Sequence, residues 1–293
     1  MIEVKDNCIA DLHVHSNNSW DGKEKPKRII KSAEGKLKYL LFADHGSITY
    51  DDLIYFAERK GIILIPGIEI STSNFANCHL VGAGIKKRTE LNAYFKKLTT
   101  ENEENMNKMV DILRLEHGIK LDQDRIDELS IEGVLRRSNI AREIIKAGYA
   151  KDINEAYEKY VGPNGVAYIE TKKPSVREGS RLIRNSGGVP ILVHPWLLRD
   201  RSTWKRPSMR QFEDSLESFI DMGVQGLECS ADSQSGKNYY RGLAKESKLI
   251  VTGGSDFHDT SKGKKLGSEI ITESEMDELF QKIRDNNSYG IDN

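Results

Sequence analysis

The chain has little cysteine, almost no net charge and no long apolar run, and each lack removes a class of protein. Only Cys8, Cys78 and Cys229 stand among 293 residues. They lie in separate apolar runs, show no CxxC spacing and cannot all pair, so they read as buried free thiols rather than a disulfide framework or a thiolate metal site. Charged residues make up 30% of the chain, yet the formal net charge is -1. Bulk electrostatics therefore predict neither a nucleic-acid coat nor an acidic tail, and an anionic ligand has to be recruited locally. No stretch approaches the ~20 apolar residues that span a bilayer, and MIEVKDNCIADLHVH has no basic segment followed by an apolar one. A soluble cytoplasmic protein with no membrane partner is expected. Internal repeats and low-complexity tracts are also lacking; ENEEN at 101 to 105 reads as a solvated helix face.

What is present is a series of short β-rich runs at residues 7 to 13, 37 to 43, 61 to 65, 78 to 84, 188 to 193, 224 to 229 and 248 to 253. Most are continuously apolar, as strands covered on both faces are, and helical patterns separate several of them. The fold class this predicts is α/β with a parallel sheet. Helices are expected at 26 to 34, 50 to 60, 177 to 186, 208 to 222, 238 to 247 and 273 to 285, with Gly187-Gly188 and Gly223 as stops. Between residues 90 and 175 the strand signal disappears into charged amphipathic patterns. The expected organisation is one domain from 1 to 89 and 176 to 293, interrupted by a helical subdomain at 90 to 175.

Six of the seven histidines stand where strand-like runs end, beside carboxylates or glycines; His117 alone falls elsewhere, near a helix end. In DLHVH, His13 and His15 are two apart, so on a strand both imidazoles point to one face and can grip a metal together. SDFH repeats the spacing with Asp256 and His258. His45 in ADH, Glu69 in PGIE, His79 in CHLVG and His194 in VHP also lie in or after strand runs. Taken singly, His79 or His194 fits a core or loop histidine; together they point to one centre of oxygen and nitrogen donors suited to zinc, manganese, iron or magnesium. A (β/α) barrel would gather them at the rim where its strands end. Asp11 and Asp44 flank ligands and are placed to orient an imidazole or hold a turn.

Taken together, DLHVHSNNSWDG, ADHG, PGIEIS, CHLVG, VHP and GGSDFH resemble the PHP family, the polymerase and histidinol phosphatase superfamily of metal-dependent phosphoesterases. The resemblance covers nearly the whole chain. It implies a distorted (β/α)7 TIM-like barrel with the helical insertion as a cap, and two or three divalent ions. Their ligands would be His13, His15, Asp21, His45, Glu69, His79, His194, Asp256 and His258. Asp21, which alone reads as a turn aspartate before Gly22, becomes a ligand on this resemblance, and Glu69 the bridge between two ions. The insertion is similar to that of small PHP enzymes acting on nucleoside phosphates and short oligonucleotides, where an Arg-x-His-Ile-Ala segment reaches toward phosphate. Here it is Arg137-Ser138-Asn139-Ile140-Ala141, with asparagine in place of histidine. Gly46 replaces that branch's aspartate, and Trp20 is an extra residue before Asp21 that reads as core packing ahead of a base-stacking platform.

The implied function is hydrolysis of a phosphomonoester, of a nucleoside bisphosphate, a monophosphate or a short oligonucleotide, by a metal-bound water. His194, Asp256 and His258 belong to that catalytic site, and Arg137, Asn139 and Arg199 are substrate-binding candidates. No GxSxG or Cys-His pattern offers a protein nucleophile instead. Alternatives are a histidinol-phosphatase-like enzyme and a non-catalytic metal-bound module, although all nine ligand positions are filled. An amidohydrolase shares the HxH but needs a strand-end lysine or an equivalent bridge. With no extended basic face, no stable duplex partner is expected.

Overall fold

The computed structural model describes residues 9–129, 135–259, 264–269 and 271–288. Cys8 and the start of the first β-rich run lie outside them. The described strands are β1 (Ala10–Val14), β2 (Tyr39–Phe42), β3 (Ile63–Ile65), β4 (Gly67–Ser71), β5 (His79–Ala83), β6 (Val189–Val193), β7 (Gly226–Glu228) and β8 (Ile250–Thr252). The helices are α1 (Pro26–Ala33), α2 (Ile54–Glu58), α3 (Thr89–Leu115), α4 (Gln123–Leu129), α5 (Arg137–Lys146), α6 (Ile153–Ala156), α7 (Val176–Asn185), α8 (Met209–Asp221), α9 (Gln234–Glu246) and α10 (Glu273–Ser288). The chain divides into two compact units, Met1–Leu91 with Pro174–Asn293, and Asn92–Lys173.

All eight strands belong to the first unit, and their apolar continuity has the cause the sequence suggests. On β2, Leu40 and Phe42 pack with Val14, Phe257 and the α1 residues Ile29 and Ile30. Tyr39 and Leu41 face the other way, into a cluster with Val81, Ile191, Val193 and the α10 residues Met276 and Leu279. Alternate side chains thus enter two different cores, so a strand covered on both faces shows no polar alternation. Helix ends follow local chemistry: Ser175, Ser208 and Ser233 accept the backbone N–H groups of Glu178, Gln211 and Gly236, capping α7, α8 and α9. Gly187 and Gly223, at φ 80 and 98, end α7 and α8.

The sheet departs from the expected parallel arrangement. β1-β2-β3 and β6-β7-β8 pair in parallel, but β5 is antiparallel to both β4 and β6. The Thr72–Cys78 connection between β4 and β5 is shorter than the ~12 residues a parallel crossover needs. The ladders form separate sheets of three and five strands, linked by isolated bridges between His45 and Glu69 and between Val14 and Phe257. The expected closed (β/α)7 barrel is therefore not found among the described residues. One strand more than expected is present because PGIEIS, carrying Glu69, forms β4 by itself directly after β3. None of the described helices is long and apolar enough to cross a membrane.

The second unit buries Met106, Met109, Val110 and Leu113 of α3 against Ile140, Ala141 and Ile144 of α5. The α3 positions recur at i, i+3, i+4 and i+7, one face of a helix.

Candidate metal centre

Strand direction explains how dispersed residues reach one place. His13 and His15 leave β1 on the same face, His45 follows β2, His194 directly follows β6, and Asp256 and His258 follow β8. β5 runs the opposite way, so its first residue does what the last residue of a parallel strand would do. His79 pairs with Ser71 at the end of β4 and with Val193 at the end of β6. Glu69, in the middle of β4, lies beneath them and is buried.

Glu69 is the centre of the cluster. Its Oε2 faces Nε2 of His13 at 3.4 Å, of His15 at 3.1 Å and of His45 at 3.3 Å. Its Oε1 faces Nδ1 of His79 at 2.8 Å and Nε2 of His194 at 3.1 Å. Asp256 Oδ1 stands 3.6 Å from His13 and 3.5 Å from His15. On the other flank Asp21 Oδ2 lies 3.0 Å from His258 and 3.6 Å from His45. Four donor triads converge: His13 with His15 and Asp256, His13 with Glu69 and His194, His15 with His45 and Glu69, and His15 with Asp21 and His258. The arrangement brings all nine sequence-derived residues together, with His79 joined through Glu69 rather than within a triad.

The surrounding chain holds these donors rigidly. Nδ1–H of His13 donates to Glu228 Oε2 at 2.7 Å, and Glu228 Oε1 accepts the backbone N–H of His194 at 3.2 Å. Sequence reasoning does not single out Glu228, although a lone carboxylate inside the run 224 to 229 is a signal of a buried polar role. Asp11 touches no imidazole; it accepts the backbone N–H groups of Ser255 at 2.9 Å and Gly267 at 2.7 Å, pinning the SDFH loop. Asp44 likewise binds Ser16 N–H, the Ser16 hydroxyl and the Thr49 hydroxyl. His194 and Asp256 both sit in left-handed backbone conformation, at φ 33 and 49. Such strain in a non-glycine residue persists where surrounding contacts impose it, often at functional sites. Lys264, also unforeseen in its Gly-Lys-Lys run, places Nζ 2.5 Å from Asp256 Oδ2.

Burial by itself would push these histidines down, and it holds His45 at about 4. For His15, hydrogen bonds to Asp256 and Glu69 outweigh burial and raise the imidazole to about 9. His13 is raised by Glu69 and Glu228 against the same burial. Burial also opposes ionisation of Glu69, Asp21 and Asp256, but the histidines hold all three carboxyls below the usual range. This is a field that attracts cations. With Nδ1–H of His13 donated to Glu228, Nε2 is the atom left to take an ion once it gives up its proton, and it faces Nε2 of His15 at 3.2 Å. Nδ1 of His194 is buried without a hydrogen-bond partner. Lone pairs converging on carboxylates fit divalent ions.

The substrate-binding candidates have other surroundings. Arg137, in the second unit, donates to the Ile169 carbonyl at 2.7 Å and stacks on Tyr168 at 4.6 Å. Asn139 is buried and its Oδ1 accepts the Arg136 N–H at 2.8 Å, closing the N-terminus of α5. Arg199 donates to the Leu198 carbonyl at 2.8 Å. Trp20 is not in the core: it is 46% exposed and stacks on His45 at 5.6 Å. Gly46 has φ 72, a conformation that favours glycine.

The PHP domain family model matches residues 11–172, and the chain belongs to that family. A "5'-3' exoribonuclease" of Haemophilus influenzae is 27% identical over 277 residues, covering 93% of this chain and 98% of its own. A "3',5'-nucleoside bisphosphate phosphatase" of Chromobacterium violaceum is 26% identical over 261 residues, 86% of this chain and 88% of its own. A solved structure from Bifidobacterium adolescentis, described as a metal-dependent phosphoesterase, shares the fold at TM-score 0.71 and 24% identity, covering 94% of this chain and 96% of that one.

Proposed function

We propose that this protein is a metal-dependent phosphoesterase that removes phosphate from a nucleotide or the end of a short oligonucleotide. The observation that carries the reading is Glu69, whose two oxygens divide five imidazoles between them, three on Oε2 and two on Oε1. A carboxylate so placed suits a bridge between two ions, and the Asp21–His258 and Asp256–His15 flanks give room for two or three. The full-length similarity to an exoribonuclease and a bisphosphate phosphatase supports the substrate class.

Manganese, zinc, iron or magnesium matches the nitrogen and oxygen donors. Divalent ions, when bound, supply Lewis-acid activation of water and neutralise charge on the phosphoryl oxygens. The chain's own share is orientation. Glu228 fixes the His13 ring, Asp11 fixes the loop bearing Asp256, and Ser19 links Asp21 to the His45 backbone through bonds of 2.6 and 3.1 Å. Asp21, Glu69 and Asp256 contribute about -3, so two or three divalent ions leave a positive site that selects an anionic ester. Lys264 adds a cation on the Asp256 side. Arg137 and Arg199 remain proposed contacts for the rest of the substrate, while Asn139 serves by holding the α5 terminus that carries Arg137.

The test is phosphate release, with manganese, from a nucleoside 3',5'-bisphosphate, a nucleoside monophosphate, histidinol phosphate and a 5'-phosphorylated oligonucleotide. Chelator-sensitive turnover favouring the bisphosphate or oligonucleotide is expected, lost in Asp256→Ala with the fold intact by circular dichroism. Preference for histidinol phosphate, or full activity in Asp256→Ala, would overturn the reading.

A further inference from the structure

The loop that leaves the metal cluster at His194 leads directly into a cavity that the phosphate chemistry does not use. It measures about 210 Å³ and is lined by Trp196, Arg206, Phe212, Tyr239 and Tyr240 among others. Pro195, which follows the ligand His194, and Ala231, three residues after Glu228, also line it. The cavity is thus built on the loops after β6 and β7, the same strand ends that carry the ligand and its buried support.

Its walls are aromatic and held in place. The Phe212 and Tyr240 rings meet edge to face at 5.4 Å, and Tyr239 meets Tyr240 at 5.2 Å. Phe212 is buried on α8, and the Tyr239 hydroxyl donates to Glu213 at 2.9 Å, so the α9 tyrosines are braced against α8. The Arg206 guanidinium lies over the Trp196 ring at 5.8 Å. Both Trp196 and Tyr240 retain partial exposure. Pockets for drug-sized ligands span ~300–1,000 Å³. This cavity suits one planar ring system rather than a whole nucleotide. Aromatic walls with an arginine at an exposed position match a flat heterocycle attached to an anion.

We infer that this cavity seats the nucleobase of the substrate whose phosphate ester is hydrolysed at the metal cluster. The inference rests on the phosphoesterase reading and adds where the base goes. The segment from 196 to 210, which carries Arg199, Arg201, Lys205, Arg206 and Arg210, then serves base recognition through Trp196 and Arg206 instead of clamping the reacting phosphate. The cavity makes the enzyme discriminate a nucleotide from a bare sugar phosphate.

The experiment compares kcat/KM for adenosine 5'-monophosphate with that for ribose 5-phosphate, in the wild type and in Trp196→Ala. The expected result is a fall in the ratio of roughly 5- to 150-fold, the span of one base-aromatic stack. An unchanged ratio overturns the inference. A second measurement needs no turnover: in a metal-free Trp20→Phe/Trp204→Phe protein, adenosine should quench the fluorescence of Trp196 saturably, whereas ribose should not. If the wild type with metal hydrolyses neither these esters nor the bisphosphate and oligonucleotide, the phosphoesterase reading fails on its own. Quenching by adenosine then still supports the cavity's role in holding a base, and absence of quenching overturns it.

Discussion

Glu228 accepts a hydrogen bond from Nδ1 of His13 at 2.7 Å with both side chains buried, which sets the ring so that Nε2 turns toward Glu69. The same carboxylate accepts the His194 backbone N–H, so one side chain ties together two proposed ligands, one on β1 and one just after β6. Residues that orient ligating imidazoles typically affect metal affinity by ~10–100-fold. Glu228→Ala should weaken manganese binding by that amount and also leave the His13 N–H without its acceptor, at about 1–3 kcal/mol of stability. Glu228→Gln, which keeps an acceptor oxygen, should lie between. Metal titration by calorimetry and thermal melting check this. Wild-type affinity in Glu228→Ala would remove Glu228 from the metal centre's support.

Proton release gives a second prediction. His15 is held at about 9 and is protonated near neutral pH, whereas His45, held at about 4, is neutral. An ion needs the imidazole lone pair, so at pH 7 binding should expel a proton from His15 and none from His45. Apparent metal affinity should therefore rise with pH and level off above about 9. The linkage to stability has the opposite slope in the metal-free protein. A histidine raised on folding stabilises fully below its unfolded value of ~6.5, and that contribution is lost as pH rises through about 9. Calorimetry in buffers of different protonation enthalpy measures the first effect, and melting from pH 6 to 10 without metal measures the second. Metal affinity independent of pH between 6 and 9 would contradict the proposed exchange.

The proposed metal ligands other than Asp21 were legible as a cluster because each stands in a short motif in or beside an apolar run, where strand geometry brings them together. Asp21 was not legible that way; its turn setting before Gly22 hid it, and only its family motif placed it beside His258. Antiparallel β5 was also hidden, because an apolar run has no direction. The consequence was a barrel expectation that the ladders do not bear out. Glu228 and Lys264 escaped for different reasons: one is a single acid in an apolar run, the other one of two adjacent lysines that meets Asp256 from eight positions along the chain. Trp20 escaped core packing because the stretch from Asn17 to Asp21 keeps it beside the metal cluster, on the face of His45.

The thiols offer a third check. Cys78 is fully buried and Cys229 is 4% exposed, and burial pushes the Cys229 thiol up to about 12. At pH 8 almost none of it is thiolate, the form that reacts. In a Cys8→Ser variant, Ellman's reagent should find no reactive thiol in the folded protein and both thiols after denaturation. Rapid titration of either under native conditions would place that cysteine's side chain in contact with solvent.

Gly254 provides the sharpest structural test of how the two ends of the chain are joined. A Cβ added there would lie 2.2 Å from the Cβ of His13 and 2.6 Å from its backbone nitrogen. Neither neighbour can move easily: His13 lies within β1, and the β1 amide of Leu12 donates to the Gly253 carbonyl at 3.2 Å. The glycine lets the loop carrying Asp256 and His258 come against the strand carrying His13 and His15. Overpacking of this kind typically costs ~1–3 kcal/mol, and here the displacement falls on His13, a proposed ligand. Gly254→Ala should lower both the melting temperature and manganese affinity. Gly242→Ala, on α9 with open space around the added methyl, is the matched control and should change neither downward. A Gly254→Ala protein that melts normally and binds metal normally would mean that β1 and the SDFH loop do not approach as closely as the His13–Asp256 pairing requires.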